Sequence, residues 1–341
     1  MTREFQLPPT VPGVSLAVTS HGDIEWSRGY GVLEAGGSAP VTPDTLFQAC
    51  SVSKAVTAIA ALRLVQEGAL DLDADVNTYL VSWQVPLRGS RQPVVTLRQL
   101  LSHTAGLNFP WSAGYHPEQE VPTLLEVLQG EKPSLYPAVE VVSTPGRRFS
   151  YSAGGYCVLQ QLLIDVLGRP FPELMRELVL APLDMQQSTY EQPLPQHLRD
   201  YAATGHRASG RPVAGKWRVY PEMAAAGLWT TPSDLARLAI DLQRALSGEP
   251  DTLLTGHTVR QMLEPQANAR DRGGVGLGLF VQRTAEGLKF GHPGDNEGYT
   301  ARWVSVLDNG LRGRGVVIMT NSDAGWDYQE GVLEAVASEW S

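Results

Sequence analysis

SVSKAVTAIAALRLVQE, residues Ser51 to Glu67, is apolar on most faces and is closed by Gly68, the pattern of a helix buried inside a domain. Ser51 and Lys54 stand at its start, three residues apart, so their side chains project from the same face about one turn apart. A serine hydroxyl is a weak nucleophile until a neighbouring base takes its proton, and a desolvated lysine can serve as that base. The helix start adds free NH groups and partial positive charge where an oxyanion would form. Ser-x-x-Lys alone is weak evidence, since a chain of 341 residues should contain one by chance. Its setting strengthens it. Lysine occurs at Lys54, Lys132, Lys216 and Lys289, and only Lys54 has a serine three positions earlier. An apolar helix is also a costly place for an amine without a task.

Working outward, Val14 to Ser20 and Ile24 to Gly31 read as strands joined by His21, Gly22 and Asp23, a hairpin near the start of the chain. The middle is dominated by helices. Thr96 and Gln99 form a capping-box pattern before RQLLSH, a second helix is expected after Gly155 with its stop at Gly168, and a third is capped by Thr231 and runs from Pro232 toward Gly248. Leu107 to Val121 and Glu131 to Ser150 are irregular and suit cleft-lining loops. Beyond about Gly273, VGLGLFVQ, LKFGH, YTARWVSVL and GVVIMTNS predict three or four antiparallel strands, followed by a helix over Asp327 to Trp340. Strands at both ends with helices between them predict an α+β fold, an antiparallel sheet flanked by helices with an inserted helical lobe. Residues 1–70 and 265–341 would form the sheet-bearing lobe and 71–264 the mainly helical one, with the active site in the cleft between them.

The formal net charge of −9 and the lack of a Lys/Arg-rich run argue against nucleic acid as a partner. No segment calls for a membrane. Pro8, Pro9 and Pro12 stand where an export signal would need an apolar run, which predicts a cytoplasmic protein. Cys50 and Cys157 are the only cysteines and lack metal-ligand spacing, so both are expected in the core. No metal or organic cofactor is implied.

Phe47-Gln-Ala-Cys-Ser51-Val-Ser-Lys54 resembles the Phe-x-x-x-Ser-x-x-Lys signature of the serine beta-lactamase and penicillin-binding-protein-like superfamily, which includes class C beta-lactamases, family VIII carboxylesterases and D-amino-acid peptidases. The resemblance continues in order through Leu100 to Leu107, Pro145-Gly146, Phe149 to Ser152, Thr231 to Leu235 and Gly291 to Gly294. It implies a beta-lactamase-like fold and assigns Ser51 as nucleophile, with Lys54 and Tyr151 as its proton-handling partners. Neutral Lys54 and ionic Tyr151 are alternative places for one missing proton, and the sequence leaves both open. His292 and Gly294 match the motif on the opposite edge of the cleft, and the NH groups of Ser51 and Asp295 would make the oxyanion hole.

His103 reads as structural, a ring that stabilises the turn after its helix. Trp111, Tyr115, Trp217 and Tyr220 are pocket candidates, each as easily plain packing. The sequence departs from the family where Tyr151-Ser152-Ala153 replaces Tyr-x-Asn, which removes an amide near the substrate at Ala153 and disfavours beta-lactams. The resulting expectation is a serine hydrolase forming an acyl-enzyme from a small ester or amide substrate, with a carboxylesterase or amidase favoured. A beta-lactamase, D-amino-acid peptidase or acyltransferase on the same residues is the alternative, and a non-catalytic binding or regulatory protein is the alternative of another class. The sequence does not give the oligomeric state.

Overall fold

The computed structural model describes residues 6–285, 287–308 and 313–338. Both ends of the chain build one antiparallel sheet. Strands β1 (Gly13–Ser20) and β2 (Asp23–Gly31) form the expected hairpin, and the short strand β3 (Phe47–Gln48) pairs far along the chain with β4 (Trp229–Thr230). The later strands are β5 (Ala267–Asn268), β6 (Gly274–Val275), β7 (Phe280–Arg283), β8 (Gly287–Asn296), β9 (Tyr299–Asp308) and β10 (Gly313–Thr320). Their order across the sheet is β2-β1-β10-β9-β8-β7-β6-β5, so the pairing of β1 with β10 joins the two ends of the chain. VGLGLFVQ, expected as one strand, is two. The Gly276 amide bonds back to the Leu279 carbonyl, and the turn between them divides β6 from β7.

Helices cover both faces of the sheet, which is why β1 is buried almost throughout instead of alternating with solvent. Its side chains still alternate between two cores. Ala17 joins Val317 and Met319 of β10 in the large core, while Val14, Leu16 and Val18 join Val316 and Ile318 in a smaller one. Helix α1 (Val52–Gln66) lies in the large core, with Val52, Ala55, Val56, Ile59 and Leu62 essentially inaccessible. Each such side chain larger than alanine contributes about 1.5–3 kcal/mol by burial.

Between α1 and the C-terminal strands come α2 (Leu97–Leu101), α3 (Leu124–Gln129), α4 (Ala153–Leu167), α5 (Phe171–Met175), α6 (Met223–Ala226), α7 (Pro232–Leu246) and α8 (Gly256–Leu263). The Thr96 capping box is complete, with the Gln99 side chain returning to the Thr96 amide, and Thr231 caps α7 with Pro232 in its first turn. Helix α4 starts two residues before the expected Gly155, because Ser152 is its cap. Helix α9 (Gly325–Ala337) closes the smaller core with Val332, Leu333 and Val336. The rest of the helix expected to reach Trp340 lies outside the described residues. Cys50 and Cys157 are free and buried. Among the described residues, no helix is long and apolar enough to cross a membrane.

Candidate active site

Strand β3 delivers the chain to α1 through Cys50, a non-glycine residue held at φ 53°. The left-handed region is costly for such a residue, and surrounding bonds hold it there. The Cys50 carbonyl accepts from Ser53 Oγ at 2.6 Å, and the Cys50 thiol bonds the Gln48 carbonyl at 3.2 Å. This turn sets Ser51 at the first position before α1 with helical dihedrals, so its hydroxyl does not cap its own helix. Lys54 Nζ lies 3.1 Å from Ser51 Oγ and donates to the Ala225 carbonyl at 2.7 Å. Lys54 is 2% exposed, so these two oxygens fix an amine that solvent barely reaches. The Ala225 carbonyl is a backbone group on α6, invisible to reasoning from residue type.

Tyr151 faces the same amine, with Lys54 Nζ 5.0 Å from its ring centroid. His103 also lies against its ring. The His103 and Tyr151 rings stack with centroids 4.2 Å apart, and His103 Nδ1 accepts from the Ser152 amide at 3.1 Å. Nδ1 is therefore unprotonated and the hydrogen sits on Nε2, which is buried without a partner among the described residues. Burial, with the Lys54 charge nearby, pushes the His103 pKa well below the ordinary histidine value. The expected structural role for His103 thus extends beyond its own turn to the placement of Tyr151.

On the opposite edge, β8 passes close to the start of α1. A Cβ built on Gly294 would sit 2.6 Å from the Ala49 carbonyl oxygen and 3.2 Å from the Ser51 nitrogen, so only glycine permits this approach. The Ser51 amide makes no hydrogen bond among the described residues. It is a free donor at a helix start, beside a cavity of about 830 Å³ that Ser51, Tyr151, Gly294 and Asp295 line together. Asp295 has its pKa raised by burial and by the Asp323 charge.

His292 does not line that cavity. It is 2% exposed, its ring centroid lies 6.3 Å from that of Tyr151, and its Nδ1 donates to the Pro293 carbonyl at 2.6 Å. Burial first and then the Lys54 charge lower its pKa to about 3, so it is a neutral ring with Nε2 as its acceptor. Ala153 is also absent from the lining. It opens α4, is 2% exposed, and its amide meets the Pro110 carbonyl at 3.3 Å. Trp111 lines the cavity, whereas Tyr115, Trp217 and Tyr220 are buried away from it. Arg272, Asn296 and Trp326, which the sequence does not single out, also line it, as does Phe149 of the Tyr151 motif.

One buried acid was also missed. Glu222, just before α6, is inaccessible, and among the described residues neither carboxylate oxygen has a well-aligned hydrogen bond. Its own amide and the Ser112 hydroxyl favour the ionised form, but burial outweighs them and raises its pKa to about 7.

The sequence model of the Beta-lactamase family matches residues 2–337. This chain belongs to the Beta-lactamase family. Among curated members, Protein flp of Staphylococcus aureus (strain MW2) is 26% identical over 227 residues, covering 65% of this chain and 42% of that protein. The chain thus spans less than half the length of flp. Esterase EstB of Burkholderia gladioli is 28% identical over 295 residues, covering 77% of this chain and 71% of EstB. Among solved structures, the octameric penicillin-binding protein homologue from Pyrococcus abyssi aligns with a TM-score of 0.73 at 25% identity, over 92% of this chain and 70% of that one. The D-amino acid amidase from Ochrobactrum anthropi SV3, complexed with L-phenylalanine, shares the fold with a TM-score of 0.76 at 22% identity, over 97% and 95% of the two chains. The antiparallel sheet with flanking helices is thus the beta-lactamase-like fold.

Proposed function

We propose that this Beta-lactamase family chain is a serine hydrolase that acts on small carboxylic esters, and more slowly on amides, through an acyl-enzyme at Ser51. The observation that carries the reading is the 3.1 Å contact between Lys54 Nζ and an uncommitted Ser51 hydroxyl at the mouth of a large cavity. Ser51 Oγ attacks the carbonyl carbon as its proton passes into the Lys54–Tyr151 pair. The tetrahedral oxyanion is held by the Ser51 amide, with the Asp295 amide as second donor. The same proton then reaches the departing alkoxide or amine, leaving an acyl ester on Ser51. Water repeats the sequence and frees the acid.

Esters are favoured because no lining side chain offers a free carboxamide to pair with a bound amide. Asn296 lines it, but its amide nitrogen already donates to Gln48 Oε1 at 2.9 Å and to the Ala226 carbonyl at 3.2 Å. Ala153 supplies no amide either. The likeness to EstB supports the same preference. Two further parts belong to this proposal. The cavity draws residues from 1–70 and 265–341 and from 71–264, which supports a cleft between two lobes. Two free thiols suit a reducing cytoplasm, which cell fractionation with an antibody would test.

Acid quenching during turnover of 4-nitrophenyl butyrate should yield protein heavier by one butyryl group, mapped to Ser51. Hydrolysis that persists in Ser51→Ala would overturn the assignment. A protein that neither turns over the ester nor becomes acylated would be the non-catalytic binder. Faster turnover of a chromogenic cephalosporin or a D-alanyl anilide than of the ester would favour the beta-lactamase or peptidase reading.

A further inference from the structure

A second cavity, about 460 Å³, adjoins the first and shares Arg272, Pro293 and Trp326 with it. Strand pairing places Phe280, Gln282, Lys289, Arg302 and Val304 of its lining on the face of the sheet away from α1, while Val281, Phe290, His292 and Trp303, out of phase with them, line its inner edge. Phe280 and Gln282 of β7 stand opposite Gly291 and Lys289 of β8, and Val304 and Arg302 of β9 stand opposite Gly291 and Pro293. Directly opposed residues share a face. Val304 belongs to the smaller core beneath α9, whereas Phe290, one position out of phase, belongs to the large core with α1.

The floor of this groove is bare at Gly291, where a Cβ would run into the Trp303 carbonyl. One wall is Phe280, with the Arg272 guanidinium 5.4 Å from its ring centroid, and the other is Trp326 and Leu333. Arg302 is paired with Glu330. Arg272 at the junction and Lys289 at the far end have no ion pair or hydrogen bond among the described residues, and Asp271 is the one acid among the lining residues. An apolar trough that leads away from the reacting serine and holds two cations with no ion pair among the described residues fits a chain with an acidic end.

We propose that the groove is a substrate subsite for an apolar arm ending in a carboxylate, which runs from the carbonyl at Ser51 past Arg272 and Pro293 to Lys289. At about 3.3 Å per residue, Lys289 is roughly 16 Å from Gly294 along β8, and its own side chain spans part of that, so an arm of roughly eight carbons reaches it. The proposal rests on the hydrolase reading. The arm can enter on the acyl side or the alcohol side of the ester, and separate substrates distinguish the two.

The test compares kcat/KM for mono-4-nitrophenyl suberate against 4-nitrophenyl octanoate, and for the butyrate ester of 8-hydroxyoctanoate against octyl butyrate. One of the two pairs should favour the acid by about tenfold, the scale of one charge-assisted hydrogen bond at a half-buried lysine. In Lys289→Glu that ratio should fall to about one or below. A ratio near one in both wild-type pairs, or a preference unchanged in Lys289→Glu, overturns the subsite. If no ester is turned over, the hydrolase reading has failed and calorimetric titration of the Ser51→Ala protein with suberate decides the groove. Binding that disappears when Lys289→Glu is added supports it, and no binding, or binding indifferent to Lys289, overturns it.

Discussion

Helices α1 and α4 each begin at a serine, and the two serines are handled in opposite ways. Ser152 takes extended dihedrals, accepts from the Gly155 amide at 3.0 Å and donates to the Asn108 carbonyl at 2.7 Å, so its hydroxyl is consumed by structure. Ser51 takes helical dihedrals, caps nothing and, among the described residues, bonds only with Lys54. The left-handed Cys50 is what enforces the second arrangement. A serine that caps its helix has its hydroxyl oriented by that duty, whereas a nucleophile must be withheld from it.

The contrast can be broken most forcefully at Ser51 itself. Ser51→Ala should lower kcat by about 10⁴-fold or more while leaving the melting temperature nearly unchanged, since no cap is lost. Equal losses of stability in Ser51→Ala and Ser152→Ala would erase the distinction.

Lys54→Met probes what the free hydroxyl needs. It should lower the rate of acylation by roughly 10²-fold or more, the scale of a lost positioned base, measured as release of 4-nitrophenolate in single turnover. An unchanged rate would remove Lys54 from the mechanism. Tyr151→Phe, assayed in the same way, should show a comparable loss if the shared proton resides there.

Glu222 sharpens the comparison from below, because it precedes the helix whose Ala225 carbonyl holds Lys54. Its folded pKa of about 7 lies above the ordinary 4.5, so the folded state binds the proton more tightly than the unfolded chain. The stability this gives is fully present below about pH 4.5 and is lost as pH rises through 7, a change on the order of 3 kcal/mol. Denaturant titrations from pH 5 to 9 should show wild type losing stability relative to Glu222→Gln. Parallel pH profiles would mean that the carboxyl group ionises freely.

The smallest effect belongs to the working cap. Ser152→Ala should cost about 1 kcal/mol in denaturant titration and leave turnover within a few-fold of wild type. A loss of activity as large as that of Ser51→Ala would mean that Ser152 takes part in the chemistry.

What could be read from sequence was local. Caps at Thr96 and Thr231, the glycine stop of α1, the first hairpin and the Ser51–Lys54 spacing each depend on neighbours within a few residues, and the structure contains them. The division between β6 and β7 was hidden because glycines served both the strands and the turn. The beginning of α4 is not legible because Ser152 stands in the sequence as part of the Tyr151 motif and its capping role depends on the turn that precedes it. The rest was non-local. Lys54 is held by a backbone carbonyl 171 residues away, Tyr151 is positioned by a histidine from the turn after α2, and Trp326 enters the cavity from the edge of a C-terminal helix. Glu222 gives no pattern at all, because its burial follows from packing across an irregular stretch.

The most direct test of a withheld and activated Ser51 is covalent labelling by a fluorophosphonate, followed by peptide mapping. The account predicts one adduct per chain on the peptide that contains Ser51, absent in Ser51→Ala, strongly slowed in Lys54→Met and retained in Ser152→Ala. An adduct on any other residue of the wild-type protein, or none at all, would contradict it.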